Sequence, residues 1–364
     1  MARASVEQVH RLKGIAMRHR SLLISVLALL ALAVSATAAL AASPRAVVYS
    51  KSTTVGSEVK GGLFAVKSGH LNQITESPFD TEPAFSADGR TIAFVRAGDL
   101  YSVRPDGSGQ RQLTSGSELD SAPVVSPDGR SVVFERRGSE SGPADLYSVR
   151  VLGGGLHALT SGSADDHQAD FSPDGRAIVF VRDSGSPANT AEDLFSMRPS
   201  GGRLARLTQT AGVDEFKPRY FAGGILFSRG ESSEGPAAYA DVYTMRRNGS
   251  KVKPLVAGVG SAYVEDVSAD GHTLLFRRDQ GLWSKRIGPG KAGKLAQLPD
   301  GSETNGVFSS DGRRVAAFVA AEEKQSLVAI DVANRRQTQL AEGFEASEKD
   351  GTVIGPVIAW QPVR

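Results

Sequence analysis

An acidic residue recurs five positions ahead of a repeated aromatic or β-branched residue: Asp80 before Phe85, Asp120 before Val125, Asp166 before Phe171, Glu215 before Tyr220 and Glu303 before Phe308. Two further copies of the stretch carry Ala262 and Gly355 at that place. Carboxylates gathered at one opening would focus a negative potential and draw a cation or a positively charged peptide. Phe79, Phe216 and Tyr263 stand beside them in sequence and would supply anchors for such a ligand. The same acids admit a plainer role, in which each hydrogen-bonds the backbone of its own turn.

Other chemistry is thinner. In "DDHQAD", Asp165 to Asp170, carboxylates and an imidazole mix, so Asp165, His167 and Asp170 are the candidate metal ligands, although spacing alone specifies no geometry. "GPGKAGK", Gly288 to Lys294, fits the first seven positions of a phosphate-binding loop. Its eighth is Leu295 rather than Ser or Thr, and it joins two predicted strands where that motif needs a helix. It reads as a hairpin tip. There is no GxSxG stretch. Beyond the leader the histidines are His70, His157, His167 and His272; all but His167 sit at positions of the repeat framework. With no cysteine in the chain, a thiolate metal site or a Cys nucleophile is ruled out. No catalytic residue is assigned and no cofactor is expected, a bound divalent cation being left open.

The elements that must position these groups repeat. "FSPDGRAIVFVR" from Phe171, followed by "EDLFSMRPSGGRLARLT", returns with variations from Phe85, Val125, Val267 and Phe308. Each unit reads as four strands. The first ends at a "PDG" or "ADG" turn, where glycine accepts the positive φ of a tight hairpin. The second, "RxIxFxR", alternates apolar and polar residues with period two. The third resembles "DLYSV" and the fourth ends in "LT". The first-strand slot holds Phe85, Val125, Phe171, Tyr220, Val267, Phe308 and Trp360, at spacings of 40 to 52 residues. The second-strand aromatic slot runs through Tyr49, Phe94, Phe134, Phe180, Phe227 and Phe276. In the last copy Ala317 takes it with Phe318 alongside, which predicts a small shift there.

The ends complete each other. "RAVVYS" at Arg45 is a second strand without a first, and "AWQP" at Ala359 is a first strand with nothing after it. Pairing the two closes a ring and removes exposed sheet edges. Repeats of this length with four strands each are what a β-propeller requires. The expectation is all-β: a seven-bladed β-propeller of four-stranded blades over 43–364. Its blades fall near 45–75 plus 356–364, 76–114, 115–160, 161–208, 209–256, 257–299 and 300–341.

Residues 1–42 read differently. Arg3, Arg11, Lys13, Arg18 and Arg20 precede the uncharged "SLLISVLALLALAVSATAALAA", residues 21–42, which ends in small residues. That is the layout of a signal peptide, or of a membrane anchor if it is retained; translation starts at Met1 or Met17. Either reading puts the remainder outside the cytoplasm. Without that end, 37 Lys and Arg face 39 Asp and Glu, so no basic stripe suited to nucleic acid is present.

"FSPDGRxIxFxR" with "DLYSV" and "LT" resembles the WD-like repeat of TolB-type propellers across residues 45–364. TolB carries an N-terminal α/β domain before six blades, and prolyl-oligopeptidase relatives add a hydrolase domain; neither has a counterpart in this sequence. The resemblance implies the fold and an extracytoplasmic binding habit. The function expected is a non-catalytic binding scaffold, monomeric, that recognises a protein or peptide ligand or a cell-envelope polymer at the acidic mouth. Its long second-to-third-strand loops, such as "DSGSPANTAE" and "GESSEGPAAYA", would open there. The alternative is a metal-assisted lyase or hydrolase acting on an extracellular or cell-wall polymer. Oligogalacturonate lyases share similar repeats around a His-rich metal site, whereas here only His167 sits in a predicted mouth loop.

Overall fold

The computed structural model describes residues 46–55, 58–67, 69–183, 191–231, 239–258, 260–298, 306–321, 324–345 and 353–360. The leader at 1–42, Glu303, and the long-loop centres at 184–190 and 232–238 lie outside the described residues.

Seven four-stranded antiparallel sheets account for every strand, and no helix occurs among the described residues. In six blades the strands follow chain order. In the first, Val353–Trp360 joins the edge of Val47–Val55, with Val47 opposite Trp360, Val48 opposite Ala359 and Tyr49 opposite Ile358. The predicted closure is therefore present. The first strands are Val353–Trp360, Asp80–Phe85, Leu119–Val125, Asp165–Phe171, Val213–Phe221, Ala262–Val267 and Val307–Phe308. They touch one another in succession all the way round, which places them innermost. We number the blades 1 to 7 from the one containing Val47.

Local chemistry explains the repeat. At the first turn of blade 2 the Ser86 hydroxyl donates to Asp88 Oδ1, Thr91 N donates back to Ser86 Oγ, and Gly89 takes φ 65°. Blades 3, 4, 6 and 7 repeat the Ser–Asp bond. The "LT" ending has a reason too. Thr75, Thr114, Thr160 and Thr208 each accept a hydrogen bond from a third-strand N–H, at Leu63, Leu100, Leu146 and Leu194. A fourth strand as short as Arg111–Gln112 is thereby pinned to its sheet.

Apolar clusters fill the joints between blades rather than one centre. Phe94, Phe134, Phe180, Phe227 and Phe276 are fully buried, and each packs against the preceding blade. Phe318 is shifted by one residue, as the sequence suggested, and faces the other way toward blade 1. "GPGKAGK" is the hairpin connecting Gly281–Arg286 to Gly293–Gln297, as expected.

Candidate functional site

Because every blade is a meander, all first strands run from one mouth of the channel to the other. Second strands end, third strands begin and fourth strands end at the starting mouth. The Ser–Asp turns share the second.

Asp80, Asp120, Asp166 and Glu215 are brought to the starting mouth, one blade apart, but as buried side chains. Their side chains are at most 1% exposed, and each meets an arginine from its own second strand. Arg96 grips Asp80 through Nε and Nη2 at 2.5 and 2.8 Å. Arg136 holds Asp120 at 2.7 and 2.9 Å, and Arg182 holds Asp166 at 2.5 and 2.7 Å. In blade 5, Arg229 Nη2 lies 2.9 Å from Glu215, which also accepts from the Thr208 hydroxyl. The two-pronged contacts of blades 2, 3 and 4 are the strong form of the ion pair, and that of blade 5 is single. Each guanidinium further covers two aromatic rings of its blade, Arg96 lying 5.4 Å from the Phe94 centroid and 4.8 Å from that of Tyr101. Hydrogen bonding to Asp80 pushes the Arg96 pKa up.

These four carboxylates thus point into their own blades with their charge matched, instead of outward as an open negative rim. The backbone-turn role is not what they perform either. They tie the start of the innermost strand to the end of the second.

The aromatics are placed differently. Phe79 is 63% exposed at the entrance to blade 2. At the corresponding position blades 4 and 5 carry Asp165 and Asp214, which accept from Ala144 N and Glu192 N of the preceding blade. Phe216 and Tyr263 meet across the joint of blades 5 and 6 with centroids 5.9 Å apart and planes tilted by 39°. Arg277 lies 5.0 Å and Lys217 5.9 Å from the Tyr263 ring.

The three candidate metal ligands do not converge. Asp165 reaches back to Arg137 and Ala144 of blade 3, His167 lies 3.5 Å from Glu192 of its own blade, and Asp170 accepts from Tyr220 N of blade 5 at 2.8 Å. Burial alone would lower the His167 pKa. The Glu192 hydrogen bond, with the charges of Glu192, Glu135 and Asp165, instead pushes it up to about 9. A protonated imidazole has no lone pair to offer a metal. No group of three or more His, Asp or Glu side chains is placed to hold a metal ion among the described residues.

A second ring of residues escapes the motif altogether. The innermost strands bulge at Glu82, Ala122, Gln168 and Lys217, which all take φ between 49° and 56°. At Ala122, Gln168 and Lys217 the freed N–H is taken by the blade before it. Glu82 accepts from Ala122 N, Glu135 from Gln168 N, and Gln168 from Lys217 N. Lys217 continues the chain toward Glu265 at 3.5 Å. A non-glycine residue in the left-handed region, blade after blade, is the signal; the side-chain types give none.

Comparison with known proteins agrees with this architecture. A family model described as the Tricorn protease N-terminal β-propeller domain matches residues 81–214, the span of blades 2 to 4. No curated protein sequence matches the chain. The fold is similar to an oligogalacturonate lyase from Vibrio parahaemolyticus, with TM-score 0.61 and 13% identity over 76% of this chain and 86% of that one. TolB from Acinetobacter baumannii is similar at TM-score 0.55 and 16% identity, covering 86% and 82%. The propeller of the Trilobed protease from Pyrococcus furiosus gives 0.59 and 12%, covering 82% and 94%, and is described as having an open velcro topology. Here the first blade is instead closed by the pairing of Val47 with Trp360. The chain is a TolB-like β-propeller in fold, and at these identities the likeness carries no further.

Proposed function

We propose that this protein is a non-catalytic binding scaffold outside the cytoplasm, monomeric, which recognises a protein or peptide segment, or a cell-envelope polymer, at the starting mouth of its propeller. The observation that carries this reading is Phe79. A phenylalanine 63% exposed, where two other blades use an aspartate to staple themselves to a neighbour, serves no packing purpose in the blade. Exposed aromatic rings beside fixed charges are the usual anchors of protein recognition. Phe216 and Tyr263, under Arg277 and Lys217, extend the same face. Asp80, Asp120, Asp166 and Glu215 contribute by holding the strands from which this surface rises. The signal-like leader supports export, and sequencing the N-terminus of the exported product tests it.

A photo-crosslinking residue at Phe79, compared with one at the exposed outer-strand Gln112, tests the site in the native envelope. Adducts of one defined species from position 79 alone are expected; equal adducts from both positions would refute the site. The metal-assisted lyase reading draws on fold similarity to a lyase. It needs Asp165, His167 and Asp170 to converge, and each is committed to a different partner. Stoichiometric tightly bound metal, lost in His167→Ala, would favour that reading over ours.

A further inference from the structure

One residue ahead of the first-strand slot, four innermost strands bury small apolar side chains: Ala84, Val124, Val307 and Ala359. The three consecutive blades 4, 5 and 6 bury Asp170, Arg219 and Asp266 there instead, at 5%, 4% and 1% exposure. Charges this deep are costly unless paired, and these do not pair with one another. Asp170 accepts from Tyr220 N, and Asp266 from Val267 N and Phe308 N, all at 2.8 Å. Arg219 lies in the field of both carboxylates without a hydrogen bond to either. Its Nη1 donates to the Pro218 carbonyl at 2.9 Å, and its Nε meets no partner.

All three line a cavity of about 220 Å³ at the second mouth, several times the roughly 30 Å³ that one water molecule occupies in the liquid. Gly271 in its wall takes φ 68°, as the turn glycines of blades 2, 3, 4 and 7 do, and packs so closely on blade 5 that a Cβ there would come within 2.6 Å of Ala222 N. Arg247, held by Asp174 at 2.9 Å, lies over the Tyr220 ring on another side.

We propose that this cavity binds a small molecule carrying a single carboxylate beside a hydrogen-bond donor, the pattern of an amino acid or a hydroxy acid. Arg219 takes the carboxylate through its unpartnered edge, and Asp170 and Asp266 take the donor. A guanidinium edge presents parallel N–H groups that match the two oxygens of a carboxylate. The flanking acids disfavour a multiply charged anion such as phosphate, and each keeps lone pairs beyond those its backbone partners use. The site shares no residue with the Phe79 face and lies at the opposite mouth, so either can fail without the other.

Calorimetric titration of the full chain with L-alanine, L-lactate, acetate, methylammonium and inorganic phosphate tests the assignment. Alanine or lactate is expected to bind saturably, at least tenfold more tightly than acetate, methylammonium or phosphate. Arg219→Gln is expected to weaken that binding at least tenfold. Should Arg219→Gln not fold, Arg219→Lys, which keeps the charge but not the two-donor edge, is expected to lose affinity to the same degree. No saturable binding by alanine or lactate, phosphate binding equal to theirs, or undiminished affinity in the Arg219 variant would overturn the proposal.

Discussion

Phe318 of blade 7 meets Tyr49 of blade 1 edge-on, with ring centroids 6.2 Å apart and planes at 83°. Trp360 lies in the same cluster and the half-buried Phe64 stacks on Tyr49, so the joint that closes the wheel holds four large aromatics. The joint between blades 6 and 7 receives Ala317 among aliphatic residues, with Phe308 its one buried aromatic. The one-residue displacement of Phe318 moves an aromatic from a joint made by continuous chain to the joint where the two ends meet.

Phe318→Ala should therefore cost about 3–5 kcal/mol, the range for emptying a large aromatic site in a core. Urea unfolding measures it. A cost under about 1 kcal/mol, the level of a tolerated core swap, would mean the closing joint does not depend on this ring.

Closure itself can be trapped chemically. The chain has no cysteine, so Val48→Cys with Ala359→Cys introduces one isolated pair at residues that face each other across the closing strands. Mild oxidation should link them within one chain, visible by mass spectrometry, and add roughly 2–4 kcal/mol of stability. Free thiols after oxidation would contradict the register.

Stability should fall as pH rises from mildly acidic values. Burial pushes Asp266 up to about 7 and Asp170 up to about 6, so between about pH 4 and those values the folded state holds protons that the unfolded chain has released. Their contribution is largest below the unfolded pKa and disappears as pH climbs through the folded one. His167, raised to about 9 chiefly by Glu192 against the cost of burial, adds stability that is full below about 6.5 and lost as pH passes 9. Urea titrations at pH 5 and pH 8 should show a smaller difference in Asp266→Asn than in the native protein. An identical difference would remove Asp266 from this account.

The wheel was legible in the sequence because turn glycines, aromatic slots and the two incomplete ends are local features that repeat. The column of acids at Asp80, Asp120 and Asp166 was legible as well, but its partners were not, since pairing needs the strand register. A clue was present: Arg96, Arg136 and Arg182 each follow their aspartate by sixteen residues. The bulge ring at Glu82, Ala122, Gln168 and Lys217 left no trace, because backbone conformation recurs there while residue type does not. The cavity charges sit in between. Asp170, Arg219 and Asp266 interrupt an otherwise small apolar column, a departure visible only once the copies are superposed one residue before the slot.

The most direct test is a double-mutant cycle on Asp120 and Arg136, because the account rests on the recurring acid being half of a buried pair that frames its blade. Asp120→Asn and Arg136→Gln should each cost about 3 kcal/mol by urea unfolding, and the double variant should lose little more than either alone. Full native stability in Asp120→Asn, together with lost ligand capture at the starting mouth, would return the carboxylate to the binding surface and contradict the account.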